Sequence, residues 1–165
     1  MNSLRDIPLF SSIDESLEKR YSQRCEWKDY KEHELVFGDD PGSRDLRCVV
    51  SGRVRVMIEI SVGKQIILGE MGEGEFFGEI AAIDDDARSA RVTTLSPCRI
   101  CIVPQRIFQT LLWESRDINF AILRVLTKRI RLLNSKLAEQ FFLPPGLRLC
   151  AEILRLSSSD IARQN

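Results

Sequence analysis

At Pro104 the texture of the chain changes, and that change restricts the fold more than any other feature. Before it, from Glu26 on, short β-branched runs alternate with Gly, Asp and Pro. Glu34-Leu35-Val36-Phe37 leads into Gly38-Asp39-Asp40-Pro41-Gly42-Ser43, and Cys48-Val49-Val50 ends at Ser51-Gly52. Arg53 to Ile60 alternates polar and apolar residues with period two, Ser61-Val62-Gly63-Lys64 turns the chain, and Gln65-Ile66-Ile67-Leu68 follows. Strands about 8–12 residues apart, with turn signals between them, predict a mainly β antiparallel sandwich or barrel with flanking helices. After Pro104, Ile118, Ile122, Leu126, Ile130, Leu133, Leu137 and Phe141 recur at spacings of 4, 4, 4, 3, 4 and 4. That is one apolar stripe along a helix of about 25 residues, with Arg124, Lys128, Arg131 and Lys136 off it. A stripe so long and narrow, with no covering segment nearby in sequence, favours a homodimer through the long helix over packing on the chain's own barrel.

The flanks are simpler. Ser3 to Arg24 reads as helical: the Ser/Asp-rich stretch Ser11-Ser12-Ile13-Asp14 caps a segment with Leu17, Tyr21 and Cys25 at helical spacing. Leu143-Pro144-Pro145-Gly146 stops the long helix. A last amphipathic piece with Leu147, Cys150, Ile153 and Leu154 ends in the linker-like tract Ser157-Ser158-Ser159. The expected organisation is therefore residues 1–114, 115–142 and 143–165.

Charge follows the same division. The 24 basic and 24 acidic residues cancel over the whole chain, but residues 1–114 carry a net −5 and residues 115–165 a net +5. Basic residues on the solvent face of a helix explain that surplus at least as well as a nucleic-acid contact does. No apolar run approaches the roughly 18 residues of a membrane span, and no secretory leader opens the chain, so the expected location is cytoplasmic.

Few residues suit catalysis. Five scattered cysteines do not make a disulfide framework. Cys98 and Cys101 have the spacing of a metal or redox pair, but in a strand residues three apart face opposite ways. His33, the single histidine, supports neither a triad nor a haem ligand. Asp84-Asp85-Asp86 reads as a solvated loop rather than a calcium site. No P-loop or dinucleotide fingerprint is present, so the expectation is a binding protein without a metal, not an enzyme.

One stretch offers a ligand site: Gly72-Glu73-Gly74-Glu75-Phe76-Phe77-Gly78-Glu79-Ile80-Ala81, then Asp84-Asp85-Asp86-Ala87-Arg88-Ser89-Ala90-Arg91-Val92. Gly78 lets backbone approach a ligand closely. Glu79 to Ile83 can form one helical turn whose free amides point at an anion. The acidic loop returns the chain so that the Arg88 guanidinium and Ser89 hydroxyl face those amides. Glu79 is an acceptor suited to a hydroxyl. Together they suit a phosphorylated sugar with a free hydroxyl.

These residues resemble the phosphate-binding cassette of cyclic-nucleotide-binding domains: Phe77-Gly78-Glu79-Ile80-Ala81, then Arg88-Ser89-Ala90 and Val92. Across residues 4–156 the likeness extends to Gly52 in Val-Val-Ser-Gly-Arg-Val, to Gly63-Lys64 in a hairpin, and to Gly74-Glu75-Phe76-Phe77. The long helix followed by Leu-Pro and Arg-Leu-x-Ala-Glu-Ile-Leu-Arg-Leu is similar to the dimerisation helix and hinge of bacterial CRP/FNR-type transcription regulators. The resemblance implies an antiparallel β-roll of the jelly-roll, cupin-like double-stranded β-helix type. It implies cyclic AMP or cyclic GMP as the effector. Glu79 would accept from the ribose 2′-hydroxyl, Arg88 would pair with the cyclic phosphate and Ser89 would hydrogen-bond to it. The backbone around Gly78, Ile80, Ala81 and Ala90 would line the cage, and Leu133 and Asn134 of the long helix would cover the base. Charged hydrogen bonds of about 1.5–3 kcal/mol each, with base burial, suffice for micromolar binding near −8 kcal/mol.

The sequence also departs from that family. Asp40 stands where a glycine is usual, Ala82 replaces a larger aliphatic residue and Arg91 a smaller one. The winged helix-turn-helix expected after the hinge does not follow, so DNA contact is expected only if such a unit exists in the native protein. A sensor domain of a regulator and a stand-alone dimerisation module with a degenerate pocket both remain open at this point.

Overall fold

The period-two texture becomes eight strands among the residues that the computed structural model describes, 3–37, 42–61 and 64–164. The chain divides into two units, Met1–Ala121 and Ile122–Asn165. In the first unit, β1 (Glu26–Tyr30), β8 (Cys98–Val103), β3 (Leu46–Ser51) and β6 (Phe76–Phe77) form one sheet in that order. The second sheet takes β2 (Leu35–Phe37), β7 (Arg91–Thr94), β4 (Val54–Ser61) and β5 (Lys64–Met71). Every pairing is antiparallel. Consecutive strands β3 and β4 belong to different sheets, so the turn at Ser51-Gly52 carries the chain from one layer to the other.

Alternation decides what faces inward. Tyr30, Val36, Phe37, Val49, Val54, Val56, Phe77, Val92, Cys98, Ile100 and Ile102 form one buried cluster drawn from both sheets. Along β4 the pattern lasts only over the base of the strand: Val54 and Val56 are buried, whereas Ile60 and, on β5, Ile66, Ile67 and Leu68 are exposed. The opposite face of β3 and β8 holds Leu46, Cys48 and Cys101, also buried. Cys48 and Cys101 are directly opposed in register, which confirms that Cys98 and Cys101 face opposite ways.

Four of the five thiols are buried, Cys25, Cys48, Cys98 and Cys101, and Cys150 is exposed. Burial pushes the Cys48 thiol up. A hydrogen bond shared with Cys25, and then burial, push Cys101 up as well. Protonated thiols out of solvent are poor nucleophiles. Alkylation of the folded protein at mildly basic pH is therefore expected to modify exposed Cys150 and to reach Cys48 and Cys101 only after unfolding; rapid native modification of Cys48 or Cys101, seen by peptide mass mapping, contradicts the packing.

The opening segment is less regular than one helix. Leu4–Asp6 and Pro8–Phe10 are 3-10 turns, α1 spans only Glu15–Tyr21, and Ser22–Arg24 is a third 3-10 turn. Pro8 sets the second turn, and Asp14 restarts the chain as a helix by accepting the Ser16 amide at 2.8 Å. Between β6 and β7 lies α2 (Glu79–Asp84); after β8 come α3 (Gln105–Glu114), α4 (Arg116–Phe142) and α5 (Pro145–Gln164).

Two expectations need correction. Ser157-Ser158-Ser159 is not a linker: α5 starts with Pro145, a favourable first residue, and runs through all three serines. Ile122 is 2% exposed and does not belong to the exposed stripe, which begins later with Ile130, Leu133, Leu137 and Phe141. Within the second unit, Lys136–Glu152 at 3.2 Å and Arg155–Glu139 at 2.6 Å tie α4 to α5. The turns expected at Gly38–Pro41, including Asp40, and at Val62-Gly63 lie outside the described residues. No described helix is long and apolar enough to cross a membrane.

Candidate functional site

Strand β6 delivers the chain to the site. Phe76 and Phe77 are buried and pair with Cys48 and Arg47 of β3, so the backbone position of the next residue is fixed by packing on both sides. That residue is Gly78, with φ 82° and ψ 5°. A Cβ there would lie 2.5 Å from Nη1 of Arg88 and 3.0 Å from the carbonyl oxygen of Asp45. Only glycine fits both the left-handed conformation and the space.

From Gly78 the chain enters α2. The first helical bond is Ala82 N–H to Gly78 O at 3.2 Å, so the amides of Glu79, Ile80 and Ala81 precede the helix's own bonding. Ala81 and Ala82 point into the unit, and Ile80 and Ile83 point out. Glu79 is 3% exposed, uncommon burial for a carboxylate. Asp85 ends α2 in a left-handed conformation, φ 62°. The acidic run is held locally, with Asp86 N–H on Asp84 Oδ1 at 3.1 Å and Arg44 on Asp85 at 3.2 Å.

The loop then brings Arg88 back across Gly78. Its Nη1 donates to Gly78 O at 3.0 Å, and Nη2 donates to Asp45 O at 2.7 Å and to Ser43 Oγ at 3.4 Å. Its guanidinium carbon lies 4.4 Å from the centroid of the Phe37 ring, an attractive cation–π geometry. The same ring has the buried Arg47 guanidinium at 5.0 Å, and Phe77 at 5.4 Å between centroids. Two positive groups on one aromatic seat beside a helix N-terminus suit an anion within an otherwise acidic unit.

The structure brings Gly78, Glu79, Ile80, Ala81 and Arg88 together in one corner of the barrel. Ser89 follows Arg88 and is exposed, while half-buried Ala90 packs against the core cluster. Leu133 and Asn134 are exposed residues of α4 in the second unit. Phe37, Asp45 and Arg47 were not anticipated. Each is distant in sequence from the cassette and belongs to no motif, so no local signal announced them. Among the described residues no group of His, Cys, Asp and Glu has the arrangement of a metal site. His33 sits exposed in a turn with φ 60°, beside Glu32.

Comparison with known proteins places these features. Residues 27–115 match the family model described as the cyclic nucleotide-binding domain. The chain is similar to the CRP-like cAMP-activated global transcriptional regulator of Mycobacterium tuberculosis, 25% identical over 150 residues, covering 90% of this chain and 66% of that protein. Among solved structures, the c-di-GMP responsive global regulator CLP of Xanthomonas campestris superposes with TM-score 0.67 at 26% identity, over 79% of this chain and 66% of that one. The Thermus thermophilus catabolite activator protein shares the fold, with TM-score 0.69 at 23% identity over 82% of this chain and 63% of that one. The chain thus spans just under two thirds of the length of each of these three proteins.

Proposed function

Because the chain belongs to the cyclic nucleotide-binding domain family, we propose that it is the sensor module of a CRP/FNR-type transcription regulator, with cyclic AMP as its effector. One observation carries the proposal: Arg88 sits directly against the glycine that opens α2, 3.0 Å from the Gly78 carbonyl. The guanidinium and the first-turn amides of α2 thereby border the same space. A cyclic phosphate there receives charge-assisted hydrogen bonds from Arg88 and from the amides of Glu79 to Ala81. The buried Glu79 carboxylate accepts from a ribose hydroxyl, and Ser89 adds a hydroxyl at the rim. None of these roles calls for bond breaking, so the module is a receptor and not an enzyme. Binding shifts the protein toward the state with the higher nucleotide affinity.

The test is calorimetric titration of the chain with cyclic AMP, cyclic GMP and cyclic di-GMP. Cyclic AMP is expected to bind in the micromolar range and more tightly than the other two. Preference for cyclic di-GMP moves the effector to that of the Xanthomonas regulator, and silence toward all three leaves a dimerisation module with an idle pocket.

We further propose that a second copy covers the exposed stripe of α4, where Ile130, Leu133, Leu137 and Phe141 show 57%, 60%, 54% and 76% of their surface. Large apolar residues lined up along one helix face mark an interaction surface. Sedimentation is expected to show a dimer, and Ile130→Asp or Leu133→Asp a monomer with an unchanged circular dichroism spectrum. A monomeric wild type removes the dimer from the proposal. DNA contact is a property proposed for the whole regulator, supported by its similarity to the transcriptional regulator of Mycobacterium tuberculosis.

A further inference from the structure

We propose that Asp45 is a positioning residue that ties Arg88 to the first turn of α3, so that whatever occupies the cassette is felt in that helix. The inference rests on the cassette reading above for its ligand and on bonds within the first unit for its mechanism.

Asp45 sits in the loop just before β3, and its backbone and side chain look in different directions. Its carbonyl oxygen accepts from Nη2 of Arg88 at 2.7 Å. Its Oδ1 accepts the backbone N–H of Gln105, the first residue of α3, at 3.0 Å, and its Oδ2 accepts from Ser43 Oγ at 3.2 Å. Pro104 occupies the N-cap position of α3 and makes no side-chain cap bond. The helix end therefore takes its acceptor from a residue sixty positions earlier, and the cap that stabilises α3 is the residue that seats the arginine.

A second set of bonds grips the other end of the cassette. Nε2 of Gln105 donates to Asp85 Oδ1 at 3.0 Å and to Ala82 O at 3.5 Å; Nε2 of Gln109 donates to Ala82 O at 3.0 Å. Gln105 and Gln109 are one turn apart and share a face of α3. Ala82 is among the last residues of α2, whose carbonyls lack partners within the helix. Thus α3 meets the cassette at the returning arginine, through Asp45, and at the end of α2, through two glutamines. A displacement of Arg88 moves the Asp45 carbonyl, and the same residue's carboxylate carries that displacement to the Gln105 amide. The coupling is reciprocal: loosening the cap lowers the affinity of the cassette by the factor that an empty cassette loosens the cap.

Residue-resolved amide hydrogen exchange on the full chain tests this without ligand. Asp45→Ala keeps the carbonyl that Arg88 uses and removes the cap together with the Ser43 bond. It is expected to speed exchange in the first turn of α3 by about fivefold, the usual effect of losing a cap, and Asp45→Asn, which retains an acceptor, to restore it to within about twofold. Arg88→Met lies outside α3, yet it too is expected to speed exchange at Gln105. An unchanged Gln105 rate in Arg88→Met, with the protein folded by circular dichroism, overturns the linkage. Titration with cyclic AMP then separates the two proposals. If wild type binds and Asp45→Ala binds about fivefold more weakly, both stand. Binding that Asp45→Ala leaves unchanged overturns the positioning role. A silent wild type whose α3 still responds to Arg88→Met removes the ligand but not the linkage.

Discussion

Arg88→Ala is expected to weaken cyclic AMP binding by about 100-fold, the larger of the two binding effects foreseen here. Two charge-assisted hydrogen bonds at the low end of about 1.5 kcal/mol each already amount to that factor. The substitution also removes the donor that joins Gly78 O to Asp45 O, so the amides of the cassette lose the strut that holds them in place. Arg88→Lys separates these contributions. It keeps the charge but not the planar fork that reaches two carbonyls at once, so an intermediate loss is expected. Calorimetry on the three proteins decides. Equal affinities for wild type and Arg88→Ala mean that the phosphate sits elsewhere, and equal losses for Ala and Lys mean that the fork, not the charge, matters.

How much of this was visible in the sequence depends on the range over which each signal acts. Strand alternation and the helical stripe are local, and both are in the structure as expected up to the length of β4, where alternation continues while burial stops. Gly78, Glu79 and Arg88 were legible because glycine, carboxylate and guanidinium stand within eleven residues of one another, close enough for a single loop to bring them together. Asp45 and Gln105 act at the same corner but are joined across sixty positions, and an Asp in a loop or a Gln after a Pro carries no signal of its own. Phe37 was counted as a strand residue; its service as the seat of two guanidiniums arises from β2 lying across the barrel from β3. The serines of α5 misled for a different reason. Three serines suit a linker by composition, but a helix started by Pro145 and tied to α4 by Arg155 and Glu139 overrides so weak a local preference. Ile122 fits the periodicity of the stripe, and periodicity alone does not say what covers a position.

Gly52→Ala is expected to destabilise the fold by roughly 2–5 kcal/mol, combining about 1–2 for a left-handed backbone with about 1–3 for overpacking. The backbone there has φ 88°, and an added Cβ would lie 2.4 Å from the Pro97 carbonyl oxygen, 2.6 Å from Cys98 Sγ and 2.9 Å from Cys98 Cα. Two of those three atoms are backbone, so no rotamer change relieves the clash. Retreat is blocked as well. Gly52 joins β3 of one sheet to β4 of the other, and β3 is held by β8 through Leu46↔Val103 to Ser51↔Arg99. Moving the turn shifts the register on which Val49 and Val54 depend for burial. For a chain of this size about 2–4 °C of melting temperature accompany each kcal/mol, so a fall of roughly 10 °C is expected in thermal denaturation. Gly72→Ala provides the comparison, because a Cβ there meets nothing within 4 Å; its melting temperature is expected to change by no more than about 2 °C. A Gly52→Ala protein that melts with wild type shows that the turn yields, and with it that the two sheets are less firmly joined than the contacts at Pro97 and Cys98 require. If Gly52→Ala folds, saturating cyclic AMP is expected to raise its melting temperature as it does that of wild type, since the nucleotide stabilises by mass action on an intact cassette. Loss of that increment would place the turn within the binding mechanism rather than beneath it.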